Sequence, residues 1–272
     1  MDEIRRRVIR DRAELFRSNC RTGRYGIVDL FKECERMGYK LIRYPLSEIE
    51  MLGFSTVIEG DIVIYTNSDV RLAREIFTLA HEIGHVNLHF SDSKRFLDNA
   101  KTISDSDEDE LEKEANYFAV QLLMPYDRLK SFWEYEVEKN NFSHITPMDV
   151  AMIMSEFCVS FEMVVNSLEN YGLIGYKERN RLNTQKNEIK VGNLLRSVGG
   201  NGRLNISTKE VSVPYEYIKY AIYNYNHNAI PMDTLKEVLN YCNLTVEDID
   251  EQLVHDDRQH PDLESMIGRL ID

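Results

Sequence analysis

The stretch that decides the fold covers residues 77–89 and reads FTLAHEIGHVNLH. At its centre, residues 81–85 form an HExxH pentapeptide. On a helix, residues four apart lie one turn above each other, so His81 and His85 can hold one metal ion. Glu82 then lies beside that ion, placed to take a proton from its bound water. The pentapeptide therefore predicts a metal site for hydrolytic chemistry on a single helix.

The helix that carries this pentapeptide is predicted to run from about Val70 to Phe90. Its apolar residues form one stripe that we expect to be buried, namely Leu72, Ile76, Leu79, Ile83 and Val86. A glycine inside a helix costs about 1 kcal/mol relative to alanine. Because Gly84 stands in the middle of this helix, we expect a strand or another helix to approach its backbone closely.

Composition narrows the class of protein. The chain has 272 residues, 43% of them hydrophobic, and a formal net charge of −13. This charge opposes nucleic-acid binding, which depends on Lys and Arg neutralising phosphates.

No apolar run has the length of a membrane span, and the start lacks a secretory signal. The four cysteines form no CxxC pair, so we expect a cytoplasmic protein with reduced thiols. The arginines at 5–12 are interpreted as a solvated helix face.

Periodicity predicts an α+β fold with a small antiparallel or mixed sheet, followed by a mainly helical C-terminal domain. The expected strands cover residues 39–44 and a hairpin over 55–65. Further helices are expected over 2–18, 26–37, a stretch ending at Met124, a pair within 148–170, and 213–225 and 231–254. The polar segment from Arg179 to Lys190 is predicted to be a linker. We therefore expect domains over residues 1–178 and 185–272.

The metal site needs a third protein ligand, because a catalytic zinc ion usually has three and keeps one position for water. An HExxHxxGxxH pattern of the metzincin type is excluded, because Leu88 stands at its glycine position. His89 lies two turns from His81 on the same helix. A straight helix cannot easily bend three stacked imidazoles around one ion, so we expect His89 to support a ligand or to pack.

A carboxylate on the segment EKEANYFAVQLLMP, residues 112–125, is the better third ligand. Glu112 and Glu114 are two residues apart and therefore lie on opposite sides of a helix, so only one can face the metal. Glu112 shares its face with Asn116 and the small Ala119, which leaves room for the first helix and its ion. We predict Glu112 as the ligand, Asn116 as a hydrogen-bonding support for a ligating histidine, and a structural or solvated role for Glu114.

Together, FTLAHEIGHVNLH and EKEANYFAVQLLMP resemble the ImmA/IrrE family of zinc metallopeptidases over about residues 25–178. The resemblance implies a zincin-like domain of the thermolysin type and one Zn²⁺ per chain. It implies His81, His85 and Glu112 as zinc ligands and Glu82 as general base. Family members cleave a DNA-binding repressor encoded nearby or are partnered with antitoxin-like regulators. A protein substrate of this kind is therefore expected, with no direct nucleic-acid binding and no membrane.

The sequence leaves the finer details of catalysis and of partner binding open. No motif identifies the donor that stabilises the oxyanion, and Tyr117, Tyr126 and His144 are the candidates. A substrate strand is expected to pair with a sheet edge along Ile62–Tyr65. The alternative function is a zinc-binding regulatory protein that sequesters its partner without cutting it. The helical pair invites a DNA-binding interpretation, but residues 147–170 contain no Lys or Arg. The C-terminal domain is expected to recruit substrate or to sense a signal.

Overall fold

The computed structural model describes residues 1–47, 52–90, 105–137 and 144–254. Its three strands are β1 Lys40–Tyr44, β2 Gly53–Ile58 and β3 Asp61–Asn67. Its α-helices are α1 Glu3–Ser18, α2 Leu30–Arg36, α3 Leu72–His89, α4 Asp105–Leu123, α5 Tyr126–Phe132, α6 Pro147–Phe157, α7 Phe161–Asn170, α8 Tyr176–Glu188, α9 Val191–Ser197, α10 Tyr215–Asn226 and α11 Met232–Tyr241. Within these residues, no helix combines the length and the apolar character needed to cross a membrane.

The sheet is mixed, with β3 in the centre. β1 pairs with β3 in parallel, β2 pairs with β3 antiparallel, and the order is β1-β3-β2. The predicted α+β class with a small mixed sheet is confirmed. The expected substrate edge along Ile62–Tyr65 is wrong, because this stretch belongs to β3 and its backbone is paired on both sides. Among the described strands, β1 and β2 are the ones that pair on one side only.

Helices α3 and α4 pack directly against each other and form the centre of the core. The predicted stripe on α3, from Leu72 to Val86, is buried. A Cβ atom added to Gly84 would lie 3.1 Å from the Cα atom of Ala115 and 3.2 Å from its carbonyl oxygen. This confirms that Gly84 permits the close approach of a neighbouring helix. Helix α4 ends at Leu123, two residues before Pro125, where the proline ring prevents its continuation.

The predicted linker is wrong, because residues 176–188 form helix α8. The side chain of Leu182 is fully buried in the main core, together with Val191, Leu195 and Leu204 from the segment that follows. The chain divides into compact units at Ser212, giving Met1–Ser212 and Val213–Asp272. The expected boundary at 178–185 therefore falls inside the first unit. The segment is mostly polar in sequence, but its few apolar side chains pack into the main core.

The last residues of the first unit, 206–212, form an extended strap over the sheet and the start of α3. The amide of Leu72 donates to the carbonyl of Ile206 at 2.9 Å, and Arg43 and Ser212 exchange two backbone hydrogen bonds of 2.8 and 2.9 Å. These backbone pairs attach the strap to β1 and to the first turn of α3. The strap therefore belongs structurally to the unit that carries the HExxH helix.

The second unit has its own small core, formed by Ala221, Ile222, Leu235, Leu239, Ile249 and Leu253. The helix predicted over 231–254 is two separate elements here, α11 and a 3-10 helix at Glu247–Gln252. Asn243 adopts a left-handed φ of 55°, which ends the α-helical path after α11. The helices predicted within 148–170 are α6 and α7, separated at Cys158 by a similar left-handed residue.

Candidate metal centre

Three side chains from two helices converge on one point. His81 and His85 extend from α3 with their Nε2 atoms 3.0 Å apart. Glu112 extends from α4, with Oε2 3.1 Å from His81 Nε2 and Oε1 3.1 Å from His85 Nε2. A tetrahedral zinc site with bonds of about 2.0–2.1 Å separates its donor atoms by roughly 3.3 Å. The two imidazole nitrogens and the carboxylate, whose two oxygens each face one of them, form a donor triangle with the spacing and chemistry that fit a zinc ion.

Glu82 lies next to this triangle and is almost completely buried. The hydroxyl of Ser55, on strand β2, donates a hydrogen bond of 2.8 Å to Glu82 Oε2. Burial raises the pKa of the Glu82 carboxyl, while the Ser55 hydrogen bond and nearby His81 oppose the rise and Glu112 adds to it. A carboxylate with a raised pKa is a better proton acceptor near neutral pH. Sequence analysis missed Ser55, because only the sheet register shows which strand residue faces Glu82.

The outer nitrogens of both histidines have partners. His81 Nδ1 lies 3.1 Å from Asn116 Oδ1, and His85 Nδ1 lies 3.1 Å from His89 Nδ1. Burial, together with the neighbouring His81 and His89, lowers the pKa of His85 to about 3. A neutral imidazole is the form that binds a metal. The structure therefore brings Asn116 and His89 to the two histidines that sequence analysis expected them to support.

The second glutamate of the segment, Glu114, faces a different partner from Glu112, as their spacing predicts. Arg5 on α1 donates from Nε and Nη2 to the two carboxylate oxygens of Glu114, at 2.6 and 2.5 Å. Arg10 donates to Tyr117 at 3.1 Å, and Arg12 donates to a backbone carbonyl of α3. Arg5 is therefore partly covered by α4, while Arg10 and Arg12 contact α4 and α3 but keep exposed side chains, as expected of a solvated helix face.

The three oxyanion candidates lie in other contacts. The Tyr117 hydroxyl accepts from Arg10. The Tyr126 ring packs edge-on against Tyr171, with ring centroids 5.3 Å apart. His144 Nδ1 is 3.9 Å from Glu178 Oε1, and its side chain is 76% exposed. None of these contacts, all between residues that the structure describes, joins a candidate to the triangle of donor atoms.

A large cavity of about 830 Å³ lies along α3. Arg74 and Phe77 line it and stand seven and four residues before His81, hence on the same face of the helix. The opposite wall includes Met163 and Asn166 on α7. Sequence analysis did not identify this cavity, because its second wall comes from a helix more than eighty residues further along the chain.

Comparisons with known proteins identify the family of this chain. The Peptidase_M78 family model, described as the IrrE N-terminal-like domain, matches residues 34–169, half of the chain. The chain therefore belongs to this family, which confirms the resemblance to ImmA/IrrE peptidases. It is 36% identical over 76 residues to "Uncharacterized immunity region protein 2" of Bacillus phage phi105, a match over 28% of this chain and 46% of that protein. The chain thus spans about half the length of this relative.

Among solved structures, the chain is similar to a transcriptional regulator of Mycobacterium tuberculosis. The TM-score is 0.39 and the identity 15%, over 62% of this chain and 47% of the other.

Proposed function

We propose that this chain is a zinc-dependent endopeptidase that cuts a partner protein at a specific site. The observation that carries the proposal is the triangle of His81, His85 and Glu112 donor atoms with Glu82 beside it. Membership of the Peptidase_M78 family supports it. We assign His81, His85 and Glu112 as ligands of one Zn²⁺ and Glu82 as the general base.

When bound, zinc would supply Lewis acidity, which would make a water easier to deprotonate and a peptide carbonyl easier to attack. Glu82 takes the proton of the attacking water and later passes it to the leaving amine. The Ser55 hydroxyl orients the Glu82 carboxylate through its hydrogen bond to Oε2. Asn116 fixes the orientation of the His81 ring through Nδ1, so that Nε2 faces the other two proposed ligands.

Substrate binding is proposed along β2. This strand pairs only with β3 among the described strands, and its Ser55 contacts Glu82. An extended peptide added to the outer edge of β2 would pass the donor triangle with its backbone held by hydrogen bonds. The cavity beside Phe77 and Arg74 lies on the same face of α3 and would receive substrate side chains.

The proposed substrate is a helix–turn–helix repressor or an antitoxin encoded near this protein. The match to a phage immunity region protein supports a role in phage or mobile-element regulation, with toxin–antitoxin or stress regulation as related settings. Free thiols at all four cysteines agree with a cytoplasmic location. We assign the unit Val213–Asp272 to substrate recruitment or sensing.

The test uses the zinc-loaded protein and a Glu82→Gln variant, each incubated with the repressor or antitoxin encoded beside its gene. Wild type should yield two fragments of defined mass, and Glu82→Gln should bind about one zinc and the same partner without cutting it. Chain cleavage is measured by intact mass, zinc by elemental analysis, and binding by pull-down.

The same experiment decides between the two functional classes. Binding without fragments by zinc-loaded wild type would support the sequestering alternative. Cleavage by Glu82→Gln at the wild-type rate would contradict the role of Glu82. Loss of zinc in Glu114→Ala but not in Glu112→Ala would contradict the assignment of Glu112 as ligand.

A further inference from the structure

A chain of polar groups leads from the partly exposed Arg5 on helix α1 through two buried side chains to the candidate metal centre. It starts at Arg5, whose guanidinium makes two hydrogen bonds to Glu114. Only 11% of the Glu114 side chain is exposed. Glu114 Oε2 lies 3.1 Å from His89 Nε2, and His89 Nδ1 lies 3.1 Å from His85 Nδ1. The His89 side chain is 4% exposed, so water does not compete for these contacts.

The direction of the hydrogen bonds follows from the role of His85. Its Nε2 atom belongs to the donor triangle and must present a lone pair, so its proton is on Nδ1. That N–H donates to His89 Nδ1, which leaves the His89 proton on Nε2. His89 Nε2–H then donates to the Glu114 carboxylate, which also accepts from Arg5. Every donor in the chain meets one acceptor, and no group needs an additional proton.

The two metal-facing histidines therefore have different supports. His81 donates to the neutral amide oxygen of Asn116. His85 donates to a second imidazole that is backed by a carboxylate and an arginine. A carboxylate behind a ligating histidine fixes its tautomer and increases its basicity.

We propose that Arg5, Glu114 and His89 form a relay that positions His85 and strengthens its bond to the metal. This inference rests on the proposed zinc site. It gives the two glutamates of the segment separate tasks: Glu112 binds the ion, while Glu114 acts through His89 as a positioning residue. It also gives α1 a functional task, because Arg5 is held there at the side of α4 that carries Glu114.

The rival explanation is that Arg5 only attaches α1 to α4. Arg10 provides a matched control, because it is also an arginine on α1. Its guanidinium contacts Tyr117 on α4 and Glu3 on α1, at 3.1 and 2.8 Å, with no link to His89. Arg5→Met removes the two hydrogen bonds to Glu114, and Arg10→Met removes the single hydrogen bond to Tyr117, between the same two helices.

The experiment measures zinc dissociation constants of the full chain by chelator competition, and the visible absorption spectrum of the cobalt-substituted protein. Glu114→Gln and His89→Leu should weaken zinc binding by about 10–100-fold, as loss of an outer partner typically does. Arg5→Met should weaken it as well, and Arg10→Met should leave it unchanged. His89→Gln should recover part of the affinity, because its amide both accepts and donates.

A double variant tests whether the groups act in series. If they do, Arg5→Met adds little to the loss caused by Glu114→Gln, because the relay is already broken. Full additivity of the two losses would contradict the relay. Circular dichroism and thermal unfolding of the metal-free proteins accompany each titration, so that a loss of fold is recognised.

Two further outcomes would overturn the proposal. The first is wild-type zinc affinity and cobalt spectrum in both Glu114→Gln and His89→Leu. The second is equal weakening by Arg10→Met and Arg5→Met, with equal loss of unfolding temperature. If His81→Ala also kept zinc, the failure would lie in the proposed metal site rather than in the relay.

Discussion

At the scale of single residues, His85 shows how burial prepares a group for its chemistry. Its ring is enclosed between His81 and His89 on one helix face, and its pKa is lowered to about 3 by burial and by these neighbours. A buried imidazole that stays neutral is ready to bind a metal without first losing a proton. The same property links the stability of the metal-free protein to pH.

We predict that the metal-free protein loses stability as the pH falls from about 6.5 toward about 3. Unfolded His85 has a pKa near 6.5, while the folded value is about 3, so the unfolded chain binds more protons in this window. The effect of His85 on the free energy of unfolding is therefore constant above pH 6.5. Below that pH the free energy of unfolding declines, by up to about 1.4 kcal/mol per pH unit for this one group. Urea unfolding at pH 7.5 and pH 5 measures this change.

His85→Gln is the matched variant for this prediction. Its side chain keeps polar atoms at the site but does not titrate, so its free energy of unfolding should depend less steeply on pH. Equal slopes for wild type and His85→Gln would contradict the prediction.

At the scale of secondary-structure elements, the site depends on the distance between α3 and α4. Two of the proposed ligands come from α3 and the third from α4, so the helix separation determines whether the donor atoms meet. Gly84 sets this separation, because the backbone of Ala115 occupies the space that a side chain would need. Gly84 thus lowers the helix propensity of α3, but its missing side chain allows α4 to pack at this distance.

We predict that Gly84→Ala destabilises the protein and weakens zinc binding. Alanine gains about 1 kcal/mol of helix propensity, but an added methyl group against a fixed backbone costs about 1–3 kcal/mol. Because the helices must separate, Glu112 moves away from His81 and His85. Chemical unfolding and zinc titration measure the two effects.

Gly175→Ala is the control for this variant. No atom lies within 4 Å of a Cβ atom built at Gly175, which is the N-cap of α8, so the change disturbs no packing and costs about 0.5–1 kcal/mol as a poorer cap, with zinc binding unchanged. If Gly84→Ala were as stable as Gly175→Ala and bound zinc as tightly as wild type, the packing argument would be wrong.

At the scale of the whole molecule, the strap at 206–212 determines where the first unit ends. It is joined to β1 and to the start of α3 by backbone hydrogen bonds. Leu182, Val191, Leu195 and Leu204, which precede it, are buried in the main core. The second unit has a separate core. The metal centre therefore belongs to a unit that extends well beyond the residues with recognisable motifs.

We predict that a chain ending at Ser212 folds and binds one zinc, while a chain ending at residue 184 does not fold stably. The shorter chain lacks Val191, Leu195 and Leu204, and each buried aliphatic side chain contributes about 1.5–3 kcal/mol. Their sum is comparable to the stability of a typical domain, about 5–15 kcal/mol. Thermal unfolding and zinc content of both chains measure the difference, and equal stability would contradict this boundary.

The local features of the site could be predicted from the sequence. The spacing of His81 and His85, the opposite sides of Glu112 and Glu114, and the need for close packing at Gly84 all follow from helix geometry. These features depend on residues within one or two turns of each other, where the 3.6-residue period fixes which side chains share a face. The small mixed sheet was predictable from short β-branched runs for the same reason.

Other features were decided only by the tertiary structure. They depend on contacts between segments that are distant in sequence. Examples are the pairing of β3 on both sides, the contact of Ser55 with Glu82, the link from Arg5 to Glu114, and the packing of the helix at 176–188 into the core. Periodicity shows that a face is apolar or basic but does not show which element contacts it, so the pairing of Arg5 with Glu114 was missed and Leu182 was assigned to a linker. In the HExxH segment, the sequence determined which atoms can bind a metal, while the packing of α1, α4 and β2 around α3 determined which groups support them.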